Sequence, residues 1–404
     1  MTSGTAVAED YRARLSQWQS EHTRQHRSYR RLGNVRVATA VVGAGIATAA
    51  LGGEWISAWW LLLPVIGSIA LAIQHSRVDT ALAAAARGAA FYERALARIE
   101  NRWAGSGRQG ERLSDPRHIY ADDLDLFGRG SLFELLSTAR TATGERVLAE
   151  WLLAPGELLV IAARQEAVRE LSPRIDLRED LALIGEDVRA AVDDRRLAAW
   201  GAQPPVRFFP GARLVAAALA ALALATVAAW AIDATSLRPF LFVVLAELMF
   251  GFATRGPMQQ IVSAVNAPAQ ELRLIGSLLE RLEREAFTSP ALAALRDRLQ
   301  AGGRKATWQV RRLERMTQCL DWARNDFIKL VLAPLLWVPQ FSMSIENWRI
   351  QCGARVGDWV AAIGEFEALS SLAGFAYERP ATTFPELLGE PEPMLEAAGL
   401  THPL

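Results

Sequence analysis

LDLFGRGSLFELLSTARTATGERVLAEWLLAP, residues 124–155, is patterned for helix packing and not for chemistry. Ser131 stands as an N-cap, and Glu134 follows at the spacing that completes a capping box. Leu132, Leu135 and Leu136 give one helical face. After Thr143-Gly144, a second helix presents Val147, Leu148, Trp151 and Leu152 and stops at Pro155, which cannot continue it. IAARQEAVREL is a third amphipathic stretch. None of this holds a nucleophile–base pair, a metal cluster or a phosphate loop. Arg140, Arg146 and Arg164 therefore read as helix-face or inter-helix partners.

On either side of this stretch lie apolar blocks. The first, at residues 37–73, breaks at Gly52-Gly53-Glu54 into residues 37–51 and 55–73. The second breaks at residues 233–238 into residues 214–232 and 239–253. A spanning helix needs about 20 apolar residues, so residues 37–51 and 239–253 need their flanks to help. The pattern predicts two transmembrane helical hairpins; the alternative is a pair of buried soluble hairpins. Arg24, Arg27, Arg30, Arg31 and Arg36 precede the first hairpin, and Arg77 and Arg87 follow it. Arg207 and Arg213 precede the second, and Arg255 follows. The tips carry only Arg238. By the positive-inside rule both termini and the segment between the hairpins are cytoplasmic, in an inner membrane crossed several times. Trp55, Trp59 and Trp60 sit near one tip, where an aromatic belt falls.

Glu247 is the clear ionisable residue inside a span. Such a residue is a functional candidate with a partner; the plainer reading is that it snorkels or pairs with a neighbouring helix or a second protomer. Gly43-x-x-x-Ala47 and Gly45-x-x-x-Ala49 suit close helix packing. Beyond the first hairpin, Val78, Leu82, Ala85, Ala89, Tyr92, Leu96, Ile99 and Trp103 follow heptad spacing. Tyr11, Leu15, Trp18, His22, Tyr29 and Leu32 partly mirror it before the hairpin, which predicts an antiparallel stalk. The Gly/Ser/Arg-rich stretch at residues 101–120 reads as a linker; its Gly105-x-x-x-x-Gly110 is followed by Glu111-Arg112 and is no phosphate loop.

Three further helices follow the second hairpin. Ile261, Val265, Leu272, Ile275, Leu279 and Leu282 share a face, with a kink expected at Pro268. Ser289 and Pro290 open the next helix. The third carries Arg304, Lys305, Arg311, Arg312 and Arg315, the best local candidate for contacting DNA phosphates, against a solvated face balanced by Glu314 and Asp321. Residues 327–341 are apolar but interrupted by Pro334 and Pro339, so they read as buried and not transmembrane.

The 404 residues are 51% hydrophobic, with a formal net charge of +0, so no global field draws the chain to nucleic acid. Cys319 and Cys352 read as free thiols in a reducing compartment. The N-terminus lacks the apolar core of a signal peptide. His22, His26, His75, His118 and His402 are scattered without metal-ligand spacing, and acid pairs such as Asp122-Asp123 and Asp193-Asp194 look exposed. No catalytic, cofactor-binding or metal-binding residue is expected in this chain.

The order Ser131-Leu132, Leu135-Leu136, Thr138-x-x-Thr141-x-x-Gly144-x-Arg146-x-Leu148-x-x-Trp151-Leu152-x-x-Pro155, then Arg164-Gln165-x-x-Val168, resembles the start of the core (lever) domain of the MutS mismatch-repair family. EFEALSSLAGFAYERPATTFPEL and the closing GLTHPL resemble the end of that core and the strand region leading into the family's ATPase domain. The resemblance covers residues 124–200 and 259–404, interrupted by the second hairpin, as in membrane-associated MutS-like proteins of bacteria. It implies that Thr141, Gly144, Arg146, Trp151, Pro155 and Arg164 have structural roles. It also implies ATP with Mg²⁺ on an ATPase domain, dimerisation through that domain, and engagement of double-stranded DNA.

This sequence departs from the family in three places. No Phe-x-Glu mismatch-reading motif precedes residue 124, residues 259–324 leave little room for a clamp, and no G-x-x-x-x-G-K-[ST] occurs. The chain ends where the family's nucleotide-binding domain starts, so ATP hydrolysis is expected on residues outside it. The expected fold class is mainly α, with two transmembrane hairpins and a MutS-like core. The expected organisation is a stalk with the first hairpin at 1–104, a linker at 105–123, and core at 124–206. The second hairpin follows at 213–253, core again at 257–378, and a connection toward the ATPase domain at 379–404. The expected function is a membrane-anchored MutS-type protein, DNA-binding and ATP-dependent when intact, whose core couples the ATPase and partner-binding ends. The alternative is a membrane scaffold that uses the core on a protein partner, without DNA.

Overall fold

In the computed structural model, residues 2–52, 58–184, 194–300, 304–323, 332–388 and 394–404 are described, and they form helices joined by turns, with no strand among them. The helices are α1 (Thr2–Gly52), α2 (Leu62–Ile99), α3 (Leu132–Leu136), α4 (Ala142–Leu153), α5 (Leu158–Leu171) and α6 (Ile175–Leu183). There follow α7 (Asp194–Ala202), α8 (Ala212–Ala231), α9 (Arg238–Glu283), α10 (Pro290–Leu299), α11 (Ala306–Trp322) and α12 (Trp337–Glu378). The chain folds as two units: Met1–Ser137 with Leu171–Glu186 and Ser370–Leu404, and Thr138–Glu170 with Asp187–Leu369.

In the first unit α1 and α2 run antiparallel. Val7, Ala8 and Tyr11 near the start of α1 pack on Tyr92, Ala95 and Leu96 near the end of α2. Tyr11, Tyr92 and Leu96 are heptad positions, with Leu15, Trp18 and Ile99 packed beside them. Gly88 lets the Trp18 indole lie against α2; a side chain there would overlap the ring. Arg98 donates through Nε to Glu378 Oε2 at 2.7 Å, and the second guanidinium–carboxylate bond makes the pair bidentate. Ser131 caps α3, accepting from Glu134 N at 3.2 Å. The Glu134 carboxylate, expected to close the capping box, instead accepts from Gly105 N, Gly107 N and Gly130 N at 2.7–2.8 Å. Gly105 and Gly130 adopt left-handed backbone there (φ 85° and 77°), which glycine enters without steric cost. The glycine-rich linker is thus tied down by one buried carboxylate.

The first hairpin differs in part from expectation. Residues 37–51 are the end of the continuous helix α1, and Gly43 meets Pro64 of α2, whereas Gly45 faces open space. The tip at residues 53–57, with Gly53, Glu54 and Trp55, lies outside the described residues. Among the described residues three helices are long and apolar enough to cross a membrane, within Gly4–Ala49, Ala212–Ala231 and Arg238–Glu283. The expected span at 55–73 is not one of them. Among its described residues, Ala58–Leu61 form a 3₁₀ turn and α2 starts at Leu62. Leu63, Ile66, Ile69 and Ile73 are nonetheless exposed.

In the second unit α8 and α9 form the second hairpin. α8 ends at Ala231, Asp233 takes a left-handed turn (φ 56°), and Pro239 opens α9. α8 packs through Ala212 and Ala216 onto Phe250 of α9, with Leu336 and Met343. Leu336 holds a left-handed φ of 46°, a strain of about 1–2 kcal/mol that its burial in this cluster sustains. α9 continues unbroken through Pro257 and Pro268 to Glu283. The second span and the helix beyond it, expected as separate elements, are one. Pro334 lies in a 3₁₀ turn (Ala333–Leu335) and Pro339 in the first turn of α12, so Pro339 interrupts nothing; residues 327–331 of that apolar run lie outside the described residues.

A buried charge pair holds the entrance to this hairpin. Arg349 of α12 donates to Glu346 (Nε to Oε2 3.0 Å, Nη2 to Oε1 2.6 Å) and to the carbonyls of Trp200, Gln203 and Pro204. Glu346 also accepts from Val206 N at 2.7 Å. Every donor the fork offers toward residues 200–206 meets backbone, so the segment entering α8 is pinned to α12. Beside it α7 crosses α12 at Gly201 and Gly353, where a methyl on either would overlap the other's backbone carbonyl. Residues 382–388, within the stretch that resembles the family's strand region, have no regular structure. A strand needs a neighbouring strand to satisfy its backbone, and none lies among the described residues.

Replacing Arg349 with Met leaves Glu346 buried without its cation, which costs about 3–5 kcal/mol. Thermal unfolding of the detergent-solubilised chain, followed by tryptophan fluorescence, should show this as a large drop in Tm; an unchanged Tm would remove the pair from its supporting role.

Candidate functional site

The motif residues gather around α4. Thr141 is its N-cap: Oγ1 accepts from Gly144 N at 3.0 Å. The helix therefore starts at Ala142, and Thr143-Gly144 lie inside its first turn, not ahead of it. Glu367 of α12 reaches this turn. Its carboxylate accepts from Arg140 N at 3.0 Å, Thr141 N at 3.1 Å and Thr141 Oγ1 at 2.5 Å. Gly144 is glycine because the carboxylate lies against its α-carbon, and any side chain would overlap it. The helix N-terminus favours the negative charge, yet burial pushes the Glu367 carboxyl up, opposed by the bonds from Thr141 and Arg140. Gly364, one turn earlier, gives Thr143 the same close approach.

Outward from this junction runs a groove of about 700 Å³ formed by α4, α5, α10 and α12. Arg146, Trp151 and Arg164 line it. Arg146 bonds Asp194 at 2.8 Å and Glu150 at 3.0 Å, and Thr143 Oγ1 donates to Asp194 at 3.0 Å. Burial works to raise the Asp194 carboxyl, but Arg146 and Thr143 outweigh it and hold it below the usual carboxylate range. Arg298 bonds Glu365 at 2.7 Å across the groove. Arg164 stacks on Trp151, its guanidinium carbon 3.8 Å from the ring centre. Burial lowers its proton affinity, against the field of Glu365. Pro155 lies just past the end of α4, exposed. Thr288 N and Ser289 N donate to Glu170, anchoring the start of α10; the Ser289 hydroxyl makes no cap bond. The groove offers paired ions over apolar walls.

The α11 residues are only partly brought together. Trp308 lies between Arg304 and Arg312, whose guanidinium carbons sit 4.7 and 5.6 Å from its ring centre. Arg311 is bound to Glu280 at 2.5 Å, and Arg315 donates to the Arg311 carbonyl at 3.3 Å. Lys305 is exposed at the helix N-cap. The expected basic face is thus divided: Arg311 is neutralised, while Arg304 and Arg312 flank an exposed aromatic ring. Glu247 does not snorkel. It is 6% exposed, and its Oε1 has no hydrogen-bond partner among the described residues. Sequence reasoning missed Glu367, Glu346 and Arg349, because a buried carboxylate on an apolar helix announces nothing about the distant backbone it will meet.

A family model for MutS domain III matches residues 118–301, the stretch that holds the motif, the second hairpin and all of α9 and α10. The chain carries a MutS-like core domain there. A search of curated proteins returns no match, and neither does a search of solved structures.

Gly144→Ala pushes the Glu367 carboxylate from its seat and should cost about 1–3 kcal/mol, read as a lowered Tm. For Glu367, a carboxyl raised on folding, the folded state binds the extra proton between the unfolded carboxylate value of about 4.3 and its own higher value. Stability from this group is therefore greatest at low pH and falls as pH rises through that window. Acidification from about pH 8 to pH 5 should stabilise the wild type relative to Glu367→Gln; parallel Tm–pH curves would contradict it.

Proposed function

We propose that this chain is the helical core of a membrane-anchored MutS-family protein, and that α9 couples its membrane segment to the core. The observation that carries the reading is the continuity of α9. Its first part exposes Leu241, Phe242, Leu245, Leu248, Met249 and Phe252, and its later part buries Ile261, Val265, Leu272, Ile275 and Leu279. Both parts lie in the region matched by MutS domain III. A helix transmits axial rotation and tilt along its hydrogen-bonded ladder, so a change at either end reaches the other. The anchoring is supported by the three long apolar helices and by their exposed apolar side chains. Arginines flank the bases of both hairpins, which places those bases on the cytoplasmic side.

In this reading ATP and Mg²⁺ bind a domain outside these residues, which also makes the dimer, and the core relays its nucleotide state. Double-stranded DNA meets the α11 face through Arg304 and Arg312, beside Trp308, with Lys305 at the helix start. A second reading, a membrane scaffold acting on a protein partner, draws on the exposed Leu158, Leu159 and Val160 beside the α4 groove.

Alkaline carbonate washing should leave the chain in the membrane pellet; release into the supernatant would end the anchoring claim. Duplex binding by the solubilised chain should weaken linearly with log salt, and Arg304→Gln and Arg312→Gln should each reduce that slope by about 1. Salt-independent binding, or none, would favour the scaffold.

A further inference from the structure

Where α9 leaves its apolar stretch, a cavity of about 510 Å³ lies between it and the turn at Ala333–Leu335. Val244, Leu248, Phe252 and Leu336 give it apolar walls, and Leu248 and Phe252 are exposed toward what would be lipid. Two ionisable side chains line it, Glu247 and Arg255. Glu247 is buried and its Oε1 has no hydrogen-bond partner among the described residues. A buried acceptor left empty is costly, so the site lacks a donor. Arg255 is exposed and has no carboxylate partner among the described residues. The two are eight positions apart, about 12 Å along the helix. That separation lies within the combined reach of both side chains and a headgroup bridging them.

We infer that this cavity binds phosphatidylethanolamine, its phosphate on Arg255, its ammonium donating to Glu247, and an acyl chain over Leu248 and Phe252. The inference rests on the reading that α8 and α9 span the bilayer. Opposite charges at the two ends of one apolar-walled cavity complement a zwitterion. An ammonium with N–H donors supplies what the Glu247 oxygen lacks, which the quaternary amine of phosphatidylcholine cannot do and phosphatidylglycerol has no cation to attempt.

The test is native mass spectrometry of the detergent-solubilised, delipidated chain titrated with these three lipids. One phosphatidylethanolamine should bind about tenfold more tightly than either of the others, the gain of one charge-assisted hydrogen bond. Glu247→Gln should collapse that preference, and Arg255→Gln should weaken all three lipids. Should either variant lose its helical circular dichroism, Gly251→Leu replaces it. Gly251 lines the cavity, and a Cβ there meets nothing within 4 Å, so the larger side chain fills the site and should displace the lipid. Equal binding of the three lipids, or a preference untouched by these substitutions, overturns the site. A chain that resists carbonate washing but shows no preference overturns the site and leaves the anchoring; a chain released by carbonate overturns both.

Discussion

The second unit depends on one buried carboxylate. Glu367 is carried deep into the helical packing by α12, and its charge is met by the first turn of α4, through Arg140 N, Thr141 N and the Thr141 hydroxyl. These donors sit at and just before the N-cap of α4, where the N–H groups have no partner within the helix. Gly144 admits the carboxylate by having no side chain. Removing any one of the three leaves the others mismatched: a helix end without its anion, or an anion without its donors. The motif that resembles the MutS core is thus a socket, and Glu367 is what fills it.

The same device recurs where other segments must be held. Glu134 gathers Gly105, Gly107 and Gly130. Glu170 takes Thr288 and Ser289. Glu346 and Arg349 hold residues 200–206. In each case a side chain on a helix satisfies backbone groups of an irregular segment, which have no ladder of their own to bond into. The last of these sits where the chain enters α8, so the hairpin begins from a fixed point on the core. α9 then returns from the hairpin as a single helix into the same core. The apolar hairpin, entered beside an ion pair and left through a continuous helix, lies within the region that the MutS domain III model matches.

Much of this was legible beforehand. The helix N-cap at Ser131, the stalk heptads, the turn at residues 233–238 and the membrane length of α8 all follow from local pattern, because capping, periodicity and chain reversal are decided by residues near in sequence. The capping box at Ser131 was half right: the serine caps, but Glu134 serves glycines instead of its own helix. Proline misled at position 339, and at positions 257 and 268 α9 stays one helix. A proline costs a helix one hydrogen bond and some strain, and the packing of Ile261, Val265, Leu272 and Ile275 outweighs that along α9.

What the sequence by itself determined is the helical class, the apolar helices and the motif at residues 131–168, since each is written in spacings of three, four and seven. Only the tertiary structure decided what the motif is for. The partners of Thr141 and Gly144 lie more than two hundred residues away on α12, and an apolar helix with a glutamate in it looks the same whether that glutamate is solvated or seated. It also decided that Arg311 is spent on Glu280 while Arg304 and Arg312 flank Trp308, and that Glu247 is buried with an empty oxygen. Charge pairing is a property of distance in space, and the chain order does not contain it.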